Sequence, residues 1–575
     1  MKNPSSLLTI IIIFIFSTNI VGQSFERTYK ADSLIFPCHV SNHSYGVNVK
    51  KVSNGFVFLS NETNGSTTNC TSTGTIAYKL TRINNIGDTI YTKLFLEPSY
   101  LIDNIGSFTP SEFSIALDGS IYVTGEVQED FNGTIKMFVN KHNITGDFIW
   151  SKYFSYNYIA SGNTIFIDSN SIYIGGVTAQ AFGQNESPLL IKIDTTGNLI
   201  WDYIFPNSAF SEFNKILKVN NTFYSIGRIM PTTTTNNKYK IFISKFDSSG
   251  NISTPYFFGD STYTYRNIDA IETNQNQIVV SSSEALSNKN LVLKIDTSLN
   301  VVNQFYIQGI SNQNIYVSNS IIQLTDSNYI LSGHKEYPAL SYFSSLYIQK
   351  LNQIGQIYWE REYSGVSSDC ISLDSNNLIL VGNRLVSNAS NSSLNSNTLL
   401  IKTDSTGLTD LCIPKFYANY SPNNISDSLP LGIKVLLINN SYGLGPFSWY
   451  LSDTLFSNNF NDYFYANDTG WVKIELIACN DTFVDSIYIY NPSVSINEFN
   501  NRKKINLYPN PSSNTITIDI KEDISSITII SITGKLIKTV DKSNNTINVT
   551  DLPKGIYFVK LIVDGVVNVE KFIKN

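Results

Sequence analysis

The 575-residue chain contains four His, three Met and five Cys, and only 15% of its residues are charged. An average soluble chain carries about 25%. So few imidazoles leave little for acid–base catalysis or metal ligation. The formal net charge of −6 gives no basic footprint for nucleic acid and no polybasic patch for a membrane surface. Long apolar runs are scarce as well. Residues 7–16 form a run of about ten, whereas a hydrocarbon core needs about 20, so an integral membrane protein is not expected. With Lys2 ahead of it and polar residues 17–19 behind, this run reads as the core of a secretory signal peptide covering 1–23. No Cys follows directly to carry a lipid.

Catalytic motifs are also missing. There is no Gly-x-Ser-x-Gly elbow, no His-Glu-x-x-His, no phosphate-binding glycine loop and no dinucleotide fingerprint. Cys38, Cys70, Cys370, Cys412 and Cys479 are odd in number, and their spacing forms no metal pattern. An oxidising compartment permits disulfides among them, with the pairing open. Cys38, His39 and His43 lie close together but are too few for a zinc site, and read as a loop or a disulfide end. No metal and no cofactor are expected. At about 150 residues per domain, the length allows three or four domains or one repeat array with smaller partners.

Aromatics are what the chain has in plenty, with 34 Tyr and 34 Phe. A phrase also repeats about every fifty residues. Its clearest copy is 190–201, Leu-Ile-Lys-Ile-Asp-Thr-Thr-Gly-Asn-Leu-Ile-Trp. Related copies turn at Gly87, Gly146, Gly250, Gly355 and Gly407, and a weaker one at Leu299 and Asn300. Two apolar strands flank an Asp that can bond its own backbone and a Gly that can take positive φ. That pattern predicts a hairpin with a type I turn and a bulge. Asp194 and Asp247 therefore read as turn residues, because a calcium loop would need further carboxylates.

A second strand signal precedes each phrase, at 56–59, 121–124, 172–175, 223–226, 278–281, 329–332 and 378–381. A third lies further upstream, as at 113–117, 165–168, 216–219, 268–272 and 371–373. Four strands per fifty residues, seven times over, is the signature of a β-propeller blade array. Trp150, Trp201 and Trp359 open the fourth strands and are expected to fill the gaps between blades. Each would bury roughly 150–250 Å². At about 25 cal/mol per Å², that is about 4–6 kcal/mol gross. Residues 24–30, Ser-Phe-Glu-Arg-Thr-Tyr-Lys, read like the fourth strand at 358–364, Tyr-Trp-Glu-Arg-Glu-Tyr-Ser, whereas the seventh repeat has only a weak 408–413 in that place. The N-terminal segment is thus expected to seal the last blade and hide an open edge. The propeller would span 24–414.

Composition changes after Pro414. Strand candidates at 433–438, 448–451, 470–478 and 483–490 predict a β-sandwich over 415–491. The segment 469–480 resembles the late strands of PKD-like or immunoglobulin-like domains of bacterial surface proteins. Trp471 is expected in its core, and the module is expected to act as a spacer. Residues 492–504 are polar and read as a linker.

The last region, 505–575, begins Ile-Asn-Leu-Tyr-Pro-Asn-Pro. Tyr508, Pro509, Asn510, Pro511, Gly534, Lys535, Leu552, Pro553, Gly555, Tyr557, Lys571 and Lys574 match a known pattern: this region resembles the type A C-terminal sorting domain of the Bacteroidetes type IX secretion system. The resemblance implies a small β-sandwich read by the secretion machinery at the outer membrane. It also implies a cargo released to the medium or attached to surface lipopolysaccharide.

The expected fold is therefore all-β: a seven-bladed propeller, an Ig/PKD-like sandwich and a sorting sandwich. The leading functional reading is a secreted or cell-surface protein that binds a glycan or protein without catalysis. One alternative is an extracellular enzyme degrading polysaccharide or protein, with carboxylates in the propeller channel; Glu112, Asp118, Glu126 and Asp269 are candidates, and nothing in the sequence selects among them. The other is a structural surface-layer component. Convergent carboxylates of raised pKa would mark the enzyme, and exposed aromatics and amides on one face the binder.

Overall fold

The computed structural model describes residues 24–575 except 31–40, 65–74, 97–107, 129–132, 182–185, 207, 232–237, 261, 285–287, 309–313, 339–342, 366, 375–376, 388–393, 410–411, 420–427, 444–445, 479–480, 492–504, 521–522, 533, 542–544 and 564–565. The segments read as a signal peptide (1–23) and a linker (492–504), and the residues Cys38, His39, Cys70 and Cys479, lie outside the described residues. The ring and most of the sandwich, to Ala466 and again from Trp471 to Tyr488, fall in one compact unit, and Asn467–Gly470 with Ile489–Asn575 in another.

The repeat folds as its local chemistry dictates. In 187–204 the strands Ser187–Asp194 and Leu199–Ile204 pair antiparallel, with a register shift at Lys192/Ile193. Asp194 Oδ1 accepts from the backbone N–H groups of Thr196 and Asn198 at 2.8 and 2.9 Å, and Gly197 takes φ 86°. The Thr196 hydroxyl, which donates to the same oxygen at 2.6 Å, and then these backbone bonds hold the Asp194 carboxyl well below the usual carboxylate range. The same turn recurs at Asp247, Asp296, Asn352 and Asp404. Leu299 holds the glycine position in the weak copy at φ 71°, a conformation that costs a side chain energy.

The strands group into four-stranded antiparallel units at 41–96, 108–154, 159–204, 208–258, 265–308 and 315–363. A seventh comprises Ser367–Asp374, Asn377–Ser387, Leu394–Thr403 and the N-terminal strand Phe25–Tyr29. That strand pairs antiparallel with Leu394–Thr403, Phe25 opposite Lys402 and Tyr29 opposite Thr398. Phe25–Tyr29 thus takes the fourth place in this last sheet.

One apolar cluster lies between each unit and the next, and another joins the last to the first through Phe25, Val49, Phe58 and Val381. The sheets therefore form a closed ring. At six junctions an aromatic ring from the fourth strand of one unit lies against the turn glycine of the next. The pairs are Phe25 on Gly87, Tyr91 on Gly146, Trp150 on Gly197, Trp201 on Gly250, Phe305 on Gly355 and Trp359 on Gly407. A Cβ on Gly197 would stand 2.5 Å from Lys152 Cγ and 3.0 Å from Trp150. Donors from the preceding unit also cap the turn carbonyls, as Trp201 Nε1 does at Ser248 O, 3.2 Å, and Tyr29 Oη at Gly87 O, 2.9 Å. The three tryptophans are half-buried wedges, so only part of their gross burial energy is realised.

Residues 416–490 form two packed sheets. One has the order Phe416–Asn419, Lys434–Asn439, Asp462–Tyr465. The other runs Ser428–Pro430, Asp481–Tyr490, Gly470–Ala478, Phe447–Leu451, Thr454–Ser457. Trp471 is not in the core. Alternation turns Ile474, Leu476 and Ala478 inward, so Trp471 points out, 68% exposed, against Tyr488. Trp449 fills the core instead, its Nε1 donating to Asn459 O at 2.9 Å. Nor is the module a free spacer. Tyr337 of the ring packs against its Tyr417, Leu436 and Ile438, and Ser364 donates to Asn440 at 2.9 Å.

A polar chain crosses the first junction. Asn140 donates to Tyr78 Oη at 3.0 Å, Tyr78 Oη lies 2.7 Å from His142 Nε2, and His142 Nδ1 lies 3.1 Å from Gly146 O. A carbonyl can only accept, so Nδ1 carries the proton and Nε2 accepts from Tyr78. Burial pulls the His142 pKa down from 6.5 to about 4.

Two outcomes are expected. Phe25→Ala, like deletion of 24–30, lowers the thermal midpoint, the substitution costing roughly 3–5 kcal/mol of stability; an unchanged melt would show that the ring closes without this strand. His142 must stay neutral in the fold, so its stabilisation is complete above pH 6.5 and fades as pH falls toward about 4. Melts across that window should slope less steeply for His142→Gln than for the native chain, and parallel slopes would contradict the assignment.

Candidate functional site

The inner strand of each unit carries a register shift, at Gly46/Asn48, Pro110/Glu112, Gly162/Thr164, Phe213/Lys215, Arg266/Asp269, Ser318/Ser320 and Ser368/Cys370. A bulge turns an extra side chain out of the ladder. Because every bulge lies away from the hairpin turns, these side chains gather toward the end of the ring where the inner strands begin.

Below them, charges cross the ring axis. Lys215 Nζ lies 2.9 Å from Asp269 and 4.0 Å from Glu112, and Lys50 lies 3.5 Å from Glu112. The units of Glu112 and Lys215 are not neighbours, so this contact spans the middle. Glu112 also accepts from Ile165 N at 3.1 Å, and Asp269 from Ile321 N and Ser320 Oγ, each at 3.0 Å. The structure thus brings together two of the carboxylates singled out in the sequence, and commits both to holding adjacent units. Asp118 is a turn residue bonded by Ser120 N at 2.9 Å, an interaction that lowers its pKa. It lies beside a cavity of about 330 Å³ between the first two units, lined by Arg82, Leu117 and Ile144.

Glu126 has a different setting. It lies near the end of the strand Ile121–Gln128, where burial pushes its pKa up against a Ser161 hydrogen bond, with the Glu212 charge adding to the rise. Glu186 is likewise raised, by burial and then by Glu212. Glu212 is held by Arg228 Nε at 2.8 Å, Asn163 Nδ2 at 2.9 Å and Asn214 Nδ2 at 3.2 Å. Tyr239 lies beneath the Arg228 guanidinium, 4.7 Å from ring centroid to cation. Further round, Asn267 donates to Asn319 at 2.8 Å. Asn163, Asn214, Asn267 and Asn319 all sit at the bulges of four successive units. Sequence reading missed this group because each member comes from a separate repeat; aligning the repeats on their bulges would have exposed the recurring Asn.

Several of the residues quoted for the sorting signal bond to the final strand of the C-terminal fold. Strands Asn506–Tyr508, Thr515–Asp519 and Thr546–Asn548 form one sheet. Leu536–Val540, Ile524–Ser531, Gly555–Val563 and Val566–Lys574 form the other. Ile516, Ile518, Ile527, Leu561 and Phe572 are buried between them, with Leu552 at the edge. Both X–Pro bonds, Tyr508–Pro509 and Asn510–Pro511, are cis. Asn510 binds the final strand twice, Nδ2 donating to Lys571 O at 2.8 Å and Oδ1 accepting from Ile573 N at 2.9 Å. Tyr557 Oη donates to Pro553 O at 3.0 Å, and its ring stacks on Phe572. Gly555 pairs with Lys574, and Gly534 turns at φ 79° into Lys535. Tyr508 stays exposed.

Among the described residues no three metal-ligating side chains converge, and no helix is long and apolar enough to cross a membrane. Cys412 is disulfide-bonded, and His43 Nδ1 accepts from Ser396 N at 3.0 Å.

Comparison with known proteins matches residues 506–575 to the secretion system C-terminal sorting domain. No curated protein matches the chain. Among solved structures, the chain resembles the β-propeller domain of the Trilobed protease from Pyrococcus furiosus, at 10% identity, over 64% of this chain and 96% of that one, with TM-score 0.35. It also resembles polysaccharide lyase Uly1, at 9% identity over 67% and 98%, with TM-score 0.41. A third is the GH93 α-L-arabinofuranosidase of Fusarium graminearum, at 8% identity over 58% and 98%, with TM-score 0.37. No residue role is carried over from these. The sorting domain marks the chain for type IX export to the cell surface or the medium.

Asn510→Ala removes both bonds to the last strand, at about 1–2 kcal/mol. Fractionation should find the variant retained in the periplasm while total synthesis is unchanged; normal export would show that the tie is not part of the signal.

Proposed function

We propose that this is a secreted or surface-held binding protein that takes up a hydroxyl-rich ligand, a glycan or a glycosylated protein, at the bulge end of its ring. The signal peptide 1–23 would carry it across the inner membrane, the sorting domain across the outer one. The ring would be a seven-bladed propeller and the sandwich an immunoglobulin-like module fixed on it. The observation that carries the reading is the run of side-chain amides on Asn163, Asn214, Asn267 and Asn319. An amide side chain carries both donors and an acceptor, a chemistry that suits hydroxyl groups, and a ligand would take up the capacity left beyond the bonds to Glu212 and between Asn267 and Asn319. The recurrence of one residue type at one structural position argues for a shared ligand rather than for packing. Glu212, Arg228 and Tyr239 flank the first two amides and supply charge and an aromatic face.

A second reading is supported by Glu126 and Glu186. Both are pushed toward the neutral acid by burial and by the neighbouring Glu212 charge. A carboxyl kept as the acid next to a second carboxylate is the kind of pair that acid–base cleavage of a polysaccharide needs.

The full mature chain, screened on glycan and polysaccharide arrays with product analysis, separates the two. Binding without products, weakened roughly tenfold or more by the double substitution Asn267→Ala and Asn319→Ala, is the expected result. New reducing or unsaturated ends, lost in Glu126→Gln, would favour the enzyme. Binding that survives the Asn substitutions intact would move the site elsewhere on the protein.

A further inference from the structure

The ion pair between Glu26 and Arg384 is completely buried, both side chains having 0% exposure. Glu26 lies on the N-terminal closing strand and Arg384 on Asn377–Ser387 of the same sheet. A buried carboxylate is tolerated only if its oxygens are fully bonded. Glu26 Oε1 takes the Arg384 guanidinium, and Oε2 takes the backbone N–H of Gly443 at 2.6 Å. Gly443 belongs to the sandwich, 417 residues further along the chain. Arg384 is shared in the same way. It donates to Ser364 O of the ring at 3.0 Å and to Ser441 O of the sandwich at 2.9 Å, and its guanidinium lies 4.2 Å from the centroid of the Tyr442 ring. Asn440 accepts from Ser364 alongside. The connection into the sandwich is itself fixed, since Ile413 pairs with Tyr442 and the adjacent Cys412 is disulfide-bonded.

We propose that the sandwich segment 440–443 is the lock on the ring: the closing strand is held firmly only while that segment is seated on the Glu26–Arg384 pair. Ring closure and sandwich docking are then one cooperative event. The chain cannot complete its ring until residue 443 is in place, and loss of the sandwich releases the N-terminal strand first. The five backbone-paired residues of Phe25–Tyr29 are too few to hold a buried charge whose partners have gone. This inference does not rest on the ligand reading, and the two can fail separately.

Hydrogen exchange on the full mature chain tests it. In the native protein, as denaturant is raised, the amides of 25–29 and of 434–439 should come to exchange at a common rate while the strands of the middle units remain protected. Separate exchange of the two segments would overturn the proposal. In Tyr442→Ala, protection of 25–29 should fall roughly tenfold or more with 121–128 unchanged. Unchanged protection of 25–29 in that variant would equally overturn it. A thermal cycle with Glu26→Gln adds a check that does not depend on exchange. Coupled losses, with the double variant close to the worse single, support the lock; strictly additive losses refute it.

Discussion

The contact of an aromatic ring on the turn of the next sheet is the constraint from which the rest of the ring follows. A four-stranded sheet has two apolar faces and cannot bury either alone. Its neighbour must approach at a fixed distance and angle, and the turn glycine sets that distance. Any side chain on Gly197 or Gly407 would meet the tryptophan of the preceding unit. The Asp or Asn that opens the turn spends its carboxyl or carbonyl oxygen on the turn's own amides, so the turn stays rigid without help. Phe25 on Gly87 extends the same joint to the two ends of the ring, so closure uses chemistry already present at the other junctions.

Much of this was legible in the sequence because it is local. The turn needs only an Asp or Asn and a Gly within four residues, and the hairpin needs apolar residues on both sides. Even the closing strand could be read, because residues 24–30 repeat the order of aromatic, acid and base found at 358–364. Where the reading failed, the missing information was non-local. Trp471 looked like core because aromatic residues are costly to expose, but the phase of its strand is set by Ile474 and Leu476. The sandwich looked like a spacer because nothing in 415–490 shows that Tyr417 and Ile438 will meet Tyr337.

The candidate site obeys the same division. Glu112 and Asp269 were candidate carboxylates that nothing in the sequence selected, and their partners, Ile165 N and Ile321 N, lie in the next units and turn them into structural ties. Glu126, Glu186, Glu212 and Arg228 come from four separate segments, and no spacing in the chain announces that they meet. The sorting signal was readable for the opposite reason. Its residues are dictated by a small fold in which Asn510 must reach the last strand and Tyr557 must lie on Phe572, so the pattern in sequence and the pattern in space are nearly the same.

The two ends of the ring therefore differ in kind. At the turn end polar groups such as Asp194 and Trp201 Nε1 are spent on the turn and the joint, and a substitution there is felt as stability. At the bulge end the extra residue in each inner strand is released from ladder and core, so its identity is free to follow a ligand. The polar residues there bond chiefly to one another, Asn163 and Asn214 to Glu212 and Asn267 to Asn319, which keeps them oriented without burying them. A scaffold built this way can change what it binds without changing how it folds. That separation is consistent with a chain whose export signal and closure are stringent in sequence while its mouth is assembled from scattered, individually unremarked residues.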